Sequence, residues 1–191
     1  MIKFNDHADY LCKKISKKVG FLSRIGKFIS SYTLKLIYNS ILLPHFTYCS
    51  TILYICNEGT MSRLQKLQNR GMHIILKCNR YTKINEMLKC LDWLNVKELV
   101  EMQTMLFIFK MIKGKLPSYL GSNFLMCSDI HCYNTRGRNK YYINSRKKNV
   151  AFNSIFVKGM ICYSNLDEDI RNSHAINIFR KRMKLMYISN R

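Results

Sequence analysis

Apolar residues recur every three or four positions through most of this chain, which is the spacing of one face of an α-helix. The clearest run lies near the start and comprises Leu11, Ile15, Val19, Leu22, Ile25 and Ile29. Helix-breaking residues are scarce, since the 191 residues include only 8 glycines and 2 prolines. The hydrophobic content of 48% is enough for a buried core. We therefore predict a mainly α-helical fold that resembles a helical bundle.

The same pattern predicts four consecutive segments. Residues 1–30 form a basic helix, residues 31–120 a helical core region, residues 121–150 a basic, aromatic loop segment, and residues 151–191 a C-terminal helical segment. The loop segment shows neither helical nor strand periodicity, and short strands around residues 140–143 remain an alternative there.

Capping residues predict where individual helices begin and end. Ser31 or Thr33 is expected to cap a second helix, which Pro44 stops or kinks. Asn95 followed by Glu98 resembles a capping box, with Asn in place of the usual Ser or Thr. The sequence therefore predicts a helix that opens at this box.

Further signals complete the helical prediction. The capping-box helix is expected to end at Gly114, ahead of Pro117. A third helix is predicted from near Thr60, with one polar side formed by Arg63, Lys66, Arg70 and His73. The last helix is predicted to be capped by Ser173 and to bury Ile176, Phe179 and Met183.

The charge balance indicates the partner. Lys and Arg total 32 against 11 Asp and Glu, a formal net charge of +21. Such a surplus repels itself in a compact chain, whereas neutralising phosphates releases condensed counterions, so RNA or DNA is the expected partner. An anionic membrane is disfavoured, because the cations are spread along the chain and no apolar run approaches the length of a bilayer span. No small-molecule substrate is indicated.

Two sets of residues are candidates for nucleic-acid contact. The first set lies on the basic helix and comprises Lys13, Lys14, Lys17, Lys18, Arg24 and Lys27. The second set lies in the loop segment, where arginines suit phosphate and tyrosines suit stacking on unpaired bases. It comprises Tyr133, Arg136, Arg138, Tyr141, Tyr142, Arg146, Lys147 and Lys148. For both sets the alternative is an ordinary solvated surface.

No pattern predicts a catalytic or metal site. The acidic run at residues 167–169 precedes the last predicted helix, where carboxylates stabilise a helix N-terminus. Cys127, His131 and Cys132 lack the second ligand pair that a zinc site uses.

The cysteines predict free thiols. The 8 cysteines accompany an N-terminus without a signal-peptide pattern, which favours a reducing intracellular compartment, the nucleus or the cytoplasm. Small buried core positions are expected for Cys12, Cys78, Cys90 and Cys162.

Six short motifs follow one another along nearly the whole chain. They are FNDH at 4–7, KKISKKVGFL at 13–22, LIYNSILLPHFTYC at 36–49, LQKLQNR at 64–70, GKLPSYL at 114–120 and HCYNTR at 131–136. In this order they resemble the region that follows the palm in jockey-like non-LTR retrotransposon reverse transcriptases. The chain departs from that family at residues 163–167, where YSNLD stands in place of W-N-x-L-P.

The resemblance implies a fragment of an RNA-directed DNA polymerase, comprising the thumb and a helical C-terminal region that hold template–primer nucleic acid. It also implies that the catalytic aspartates and their Mg²⁺ lie in an upstream palm, so this chain is expected to hold no cofactor and to be inactive alone. Two alternatives stay open. The chain could be an interaction module that packs on a missing palm, or an independent, small, basic nucleic-acid-binding protein.

Overall fold

Helices account for most of the structure, a computed structural model that describes residues 5–79, 81–121, 127–130, 133, 142 and 155–189. No strand occurs among these residues, and the predicted mainly α-helical class is confirmed. The suggested strands around residues 140–143 lie outside the described residues, apart from Tyr142. The chain divides into two compact units, Met1–Glu101 with Tyr187–Arg191 (unit 1) and Met102–Met186 (unit 2).

The helices follow one another along the chain in the order given below. The first ones are α1 Asn5–Ile25, α2 Ser31–Ile37, α3 Leu43–Thr47, α4 Ser50–Ile55, α5 Glu58–Leu76 and α6 Ile84–Leu91. They continue with α7 Val96–Ile112, α8 Ser118–Gly121, α9 Cys127–Ile130, α10 Met160–Ser164, α11 Glu168–Arg171 and α12 Ile176–Ser189. Single π-helical turns, π1 at Tyr38–Leu42 and π2 at Ile155–Gly159, precede α3 and α10.

The core of unit 1 forms where α1 packs against α5. The Arg63 guanidinium and the Asp9 carboxylate form an ion pair near the start of both helices. Near their ends, a Cβ built on Gly26 would lie 3.1 Å from Cγ2 of Ile74. α1 and α5 therefore run side by side in the same direction. The buried apolar residues of the two helices are Ala8, Leu11, Cys12, Ile15, Val19, Leu22, Leu64, Met72 and Ile75.

Pro44 explains the π-helical turn between α2 and α3. Proline has no N–H to donate, and its ring excludes the carbonyl one turn earlier, so the α-helical ladder cannot continue through it. The Leu43 N–H instead donates to the carbonyl of Tyr38, five residues back. Pro44 then lies in the first turn of α3. The predicted interruption at this proline is therefore present as a widened turn.

The caps agree with the prediction at α7 and differ at α2. The Glu98 N–H donates to Oδ1 of Asn95 at 2.8 Å, and the Asn95 N–H donates to Oε2 of Glu98 at 3.1 Å, which confirms the capping box. Gly114 has a φ of 64°, as expected for a glycine that ends a helix. The prediction that Ser31 or Thr33 caps α2 is wrong, because Ser30 is the cap.

Unit 2 is built around the ring of Phe179 on α12. This ring stacks on Phe109 of α7 with centroids 4.4 Å apart, and Tyr163 lies 6.2 Å away. Phe179 and Met183 are buried as predicted, whereas Ile176 is only partly buried.

The prediction that Ser173 caps the last helix is wrong. Helix α12 begins at Ile176, and the buried Ser173 hydroxyl donates back to the carbonyl of Ile170 at 2.8 Å. The acidic run at residues 167–169 therefore opens the one-turn helix α11, and not α12 as predicted. A serine after a helix can bond backwards to the preceding carbonyls as well as forwards, which is why its position alone did not fix the cap.

Two mid-helix glycines give a matched test of this packing. A Cβ on Gly71 would lie 2.6 Å from Cε2 of Tyr38, a buried ring that stacks on Trp93 at 4.4 Å. Over-packing costs about 1–3 kcal/mol, while alanine gains about 1 kcal/mol in helix propensity. We therefore expect Gly71→Ala to lower the free energy of unfolding in a urea titration followed by circular dichroism.

Gly20→Ala is the control for that substitution. Nothing lies within 4 Å of a Cβ built on Gly20 of α1, so only the propensity term, about 0.5–1 kcal/mol, should remain. We expect this variant to be more stable than the parent chain. Equal stabilisation by both substitutions would contradict the packing of Tyr38 on Gly71.

Candidate nucleic-acid interface

The cations of α1 lie on two sides of the helix. Lys13 and Lys17 are exposed on the side next to α5, where they line a cleft between the two helices. Lys14 and Lys18 follow them by one residue, which is a rotation of about 100° around the helix axis. The predicted basic helix therefore presents its lysines to two different environments.

The cleft between α1 and α5 is cationic on both sides. It encloses about 540 Å³ and is lined by Cys12, Lys13, Ser16, Lys17, Arg63, Lys66 and Leu67. Its floor is apolar where Leu67 and Cys12 meet, and burial raises the pKa of the Cys12 thiol, so this thiol is a packing group. The walls offer ammonium, guanidinium and hydroxyl groups, all of which can bond to phosphate oxygens.

A second cleft lies between the ends of the same helices. It encloses about 400 Å³ and is lined by Ser23, Gly26, Lys27, His73, Ile74 and Lys77. Arg70 is exposed on α5 between the two clefts, and Arg24 is exposed on α1 next to Ser23 of the second cleft. We call these two clefts, with the cations along their edges, the cationic groove. Its rims are Lys13, Lys17, Arg24 and Lys27 on the α1 side, and Arg63, Lys66, Arg70 and Lys77 on the α5 side.

Most of the rim cations have no acidic partner. Arg63 is paired with Asp9, and this hydrogen bond raises the pKa of the guanidinium. Lys77 donates to the carbonyl of Ile29 at 3.0 Å and so joins the end of α5 to the segment that follows α1. Within the described part of the chain, no ion pair involves Lys13, Lys17, Arg24, Lys27, Lys66 or Arg70. These side chains remain available to a polyanion.

The α5 rim is absent from the residues predicted as contacts. The sequence places Arg63, Lys66 and Arg70 at helical spacing opposite an apolar face, which is equally the pattern of a solvated surface helix. Only the packing of α5 beside α1 shows that this polar side faces the lysines of the first helix. The three-to-four-residue spacing of cations on both helices is the signal that could have suggested it.

Lys18 has a structural partner. Its Nζ lies 2.6 Å from Nε2 of His45 and 3.3 Å from the carbonyl of Ile41, so this lysine holds π1 and α3 against α1. Lys14 lies over the ring of Tyr10, with Nζ 5.5 Å from the ring centroid. Neither lysine lines the cationic groove, although both were predicted as phosphate contacts.

A third, polar cleft adjoins the end of the groove. It encloses about 620 Å³ and is lined by Asn69, His73, Thr82, Lys83, Ile84 and Asn85. His73 lines this cleft and the second cleft of the groove, so the two are neighbours. The polar cleft extends the cationic surface around the end of α5 through Lys83.

Of the predicted loop set, the structure describes Tyr133 and Tyr142. Both tyrosines are exposed to solvent, Tyr133 to 77% and Tyr142 to 47%. The remaining members, Arg136, Arg138, Tyr141, Arg146, Lys147 and Lys148, lie outside the described residues.

The glutamines of the LQKLQNR motif join α5 to the start of α7. Oε1 of Gln65 accepts the Val96 N–H at 2.8 Å, and Nε2 of the buried Gln68 donates to the carbonyl of Leu94 at 2.9 Å. Gln65 also donates to Oδ1 of Asn69 at 2.7 Å. The amides of this motif therefore serve the fold, while Lys66 and Arg70 of the same motif face the groove.

No group of His, Cys, Asp and Glu side chains among the described residues could hold a metal ion. The described cysteines are free thiols. Cys12 is buried as predicted, Cys78 and Cys162 are only half-buried, and Cys90 is exposed, so the prediction of a core position is wrong for Cys90. No described helix combines the length and apolarity that crossing a bilayer requires. Comparison with protein-family models, with curated proteins and with solved structures finds no match to the chain.

The contact between Lys18 and His45 predicts an acid-sensitive stability. Burial lowers the pKa of His45, and Lys18 and Lys14 lower it further. Below about pH 6.5, the ordinary value for histidine, the unfolded chain therefore binds a proton more readily than the folded chain. The free energy of unfolding should fall as the pH is lowered through this window.

Substitution of His45 tests this expectation. In His45→Gln the side-chain amide can still accept from Lys18 but does not titrate, so the loss of stability between about pH 7 and about pH 5 should be smaller than in the parent chain. The exposed His174 provides the control, His174→Gln. Urea titrations at the two pH values measure the difference, and an unchanged pH dependence in His45→Gln would contradict the contact.

Proposed function

We propose that this chain holds RNA or DNA in the cationic groove, as the post-palm part of a non-LTR retrotransposon reverse transcriptase. The observation that carries the proposal is the pair of cationic rims on adjacent parallel helices, most of them without acidic partners. The successive phosphates of a nucleic acid can neutralise such a row of cations at every helical turn, whereas a small anion would neutralise only one position.

The dimensions of the groove suit a phosphate backbone. Arg63 and Arg70 are seven residues apart on α5, which corresponds to about 10 Å along the helix. Cations at intervals of one to two turns on each rim can therefore contact successive phosphates of a strand lying lengthwise in the groove. None of these contacts distinguishes one base from another, so the binding is expected to be independent of sequence.

The motifs suggest that nucleic-acid binding and catalysis belong to different parts of the polymerase. The lysine-rich α1 occupies the place of the thumb helix in the resemblance, and it supplies one rim of the groove. The paired aspartates and Mg²⁺ of the polymerase are assigned to a palm on another stretch of polypeptide. This chain's own role is then to grip and orient the nucleic acid, with no step of phosphoryl transfer.

A second candidate is a module that packs on the polymerase palm. Tyr32 and Leu36 lie four residues apart on α2 and are 74% and 50% exposed. They form an apolar strip that would suit contact with another polypeptide. Under this candidate, the substitutions in the groove described below would leave the chain's interactions unchanged.

The expected binding has a measurable salt dependence. Each phosphate contact contributes about 0.7–0.9 to the slope of log affinity against log salt concentration. We expect the double variant Lys17→Gln/Lys66→Gln, which removes two such contacts, to lose affinity and to lower that slope by about 1.4–1.8. Fluorescence anisotropy with a labelled oligonucleotide over a series of salt concentrations measures both quantities.

The double variant Lys89→Gln/Lys115→Gln is the matched control. It removes the same charge from exposed lysines that do not line the groove. The proposal expects this control to keep the slope of the parent chain. Equal losses in the two double variants would mean that net charge alone drives the binding, and a parent chain that ignores polynucleotides at low salt would refute the function.

A further inference from the structure

Exposed aromatic rings accompany the α1 rim of the groove. Tyr10, Phe21 and Phe28 are 59%, 47% and 87% exposed. Tyr10 and Phe21 are eleven residues apart, which is three helical turns, so they lie on the same side of α1 about 16 Å from each other. Phe28 follows just beyond the end of the helix. We call these three residues the aromatic row.

The aromatic row is interleaved with the groove cations. Lys17 precedes Phe21 by one turn, and Arg24 follows it by one turn, so both cations neighbour this ring on the helix surface. Lys27, which lines the second cleft, directly precedes Phe28. A strand whose phosphates lie on the rim would therefore have its bases beside exposed rings.

The exposure of these aromatic rings to water is energetically unfavourable. A phenylalanine ring that is 87% exposed gains almost nothing from the hydrophobic core, and it keeps a large apolar face in water beside cations. Stacking on the flat face of an unpaired base would remove that face from water. Positive grooves with aromatic stacking positions are the arrangement that binds single strands without reading their sequence.

We propose that the groove prefers single-stranded RNA or DNA, with phosphates on the cationic rims and bases stacked on Phe21 and Phe28. This inference rests on the proposed function, since it concerns the same groove. In a duplex the base faces are stacked on one another, so a duplex can use the cations but not the aromatic row. The preference for unpaired nucleic acid is therefore carried by the rings, and the overall affinity by the cations.

Three probes with the same number of phosphates separate these contributions. They are an oligothymidylate, an abasic strand of the same length, and a hairpin duplex, each titrated against the full chain by anisotropy at low salt. The oligothymidylate should bind at least about five-fold more tightly than either of the others, because stacking is worth that factor or more per base.

Phe21→Ala/Phe28→Ala should remove most of that advantage and leave binding to the abasic strand and the duplex unchanged. Phe21→Tyr/Phe28→Tyr should keep it, because tyrosine also stacks. Circular dichroism verifies that both variants remain helical, as expected for exposed positions.

The outcomes distinguish a failure of this inference from a failure of the proposed function on which it rests. Equal affinity of the parent chain for all three probes would overturn the single-strand preference and leave the groove's nucleic-acid binding intact. An unchanged advantage in the alanine variant would also overturn it. Failure of the parent chain to bind any of the three probes would refute the proposed function itself.

Discussion

The apolar contact between α1 and α5 is the interaction on which the groove depends. Each fully buried aliphatic side chain in that contact contributes about 1.5–3 kcal/mol, and Ile15, Val19 and Leu64 are fully buried. Two unit charges 4 Å apart in water repel each other by about 1 kcal/mol. Burial therefore outweighs the repulsion between rims that carry the same charge. Without this contact, the lysines of α1 and the arginines of α5 would move apart.

The surplus of cations also favours the binding of a polyanion to the free chain. A net charge of +21 raises the free energy of any compact state of this chain, and a groove concentrates that effect locally. A bound phosphate strand reverses the sign of the local interaction without changing the packing beneath it. The fold and the proposed ligand are thus complementary, since hydrophobic burial holds the rims together and the ligand neutralises them.

The sequence predicts helices well where local chemistry decides and less well where packing decides. The capping box at Asn95 and the stop at Gly114 are local features, and both are present. Ser30 and Ser173 show the limit. Several hydroxyls near the start of α2 can serve as its cap, and the Ser173 hydroxyl bonds backwards to the carbonyl of Ile170 instead of capping α12. For the groove, Lys13 and Lys14 differ by about 100° around the helix, and only the position of α5 determines which of them faces the cleft. The α5 rim could not be assigned without that packing.

The amides of Gln65 and Gln68 have a consequence for the groove on the opposite side of their helix. They hold specific backbone groups at and just before the start of α7, the N–H of Val96 and the carbonyl of Leu94. A slip of α5 by one residue would turn it by about 100° and break both bonds, at about 1 kcal/mol each. That same turn would rotate Lys66 away from α1. Two uncharged side chains thereby set the angular position of the cations about the axis of α5.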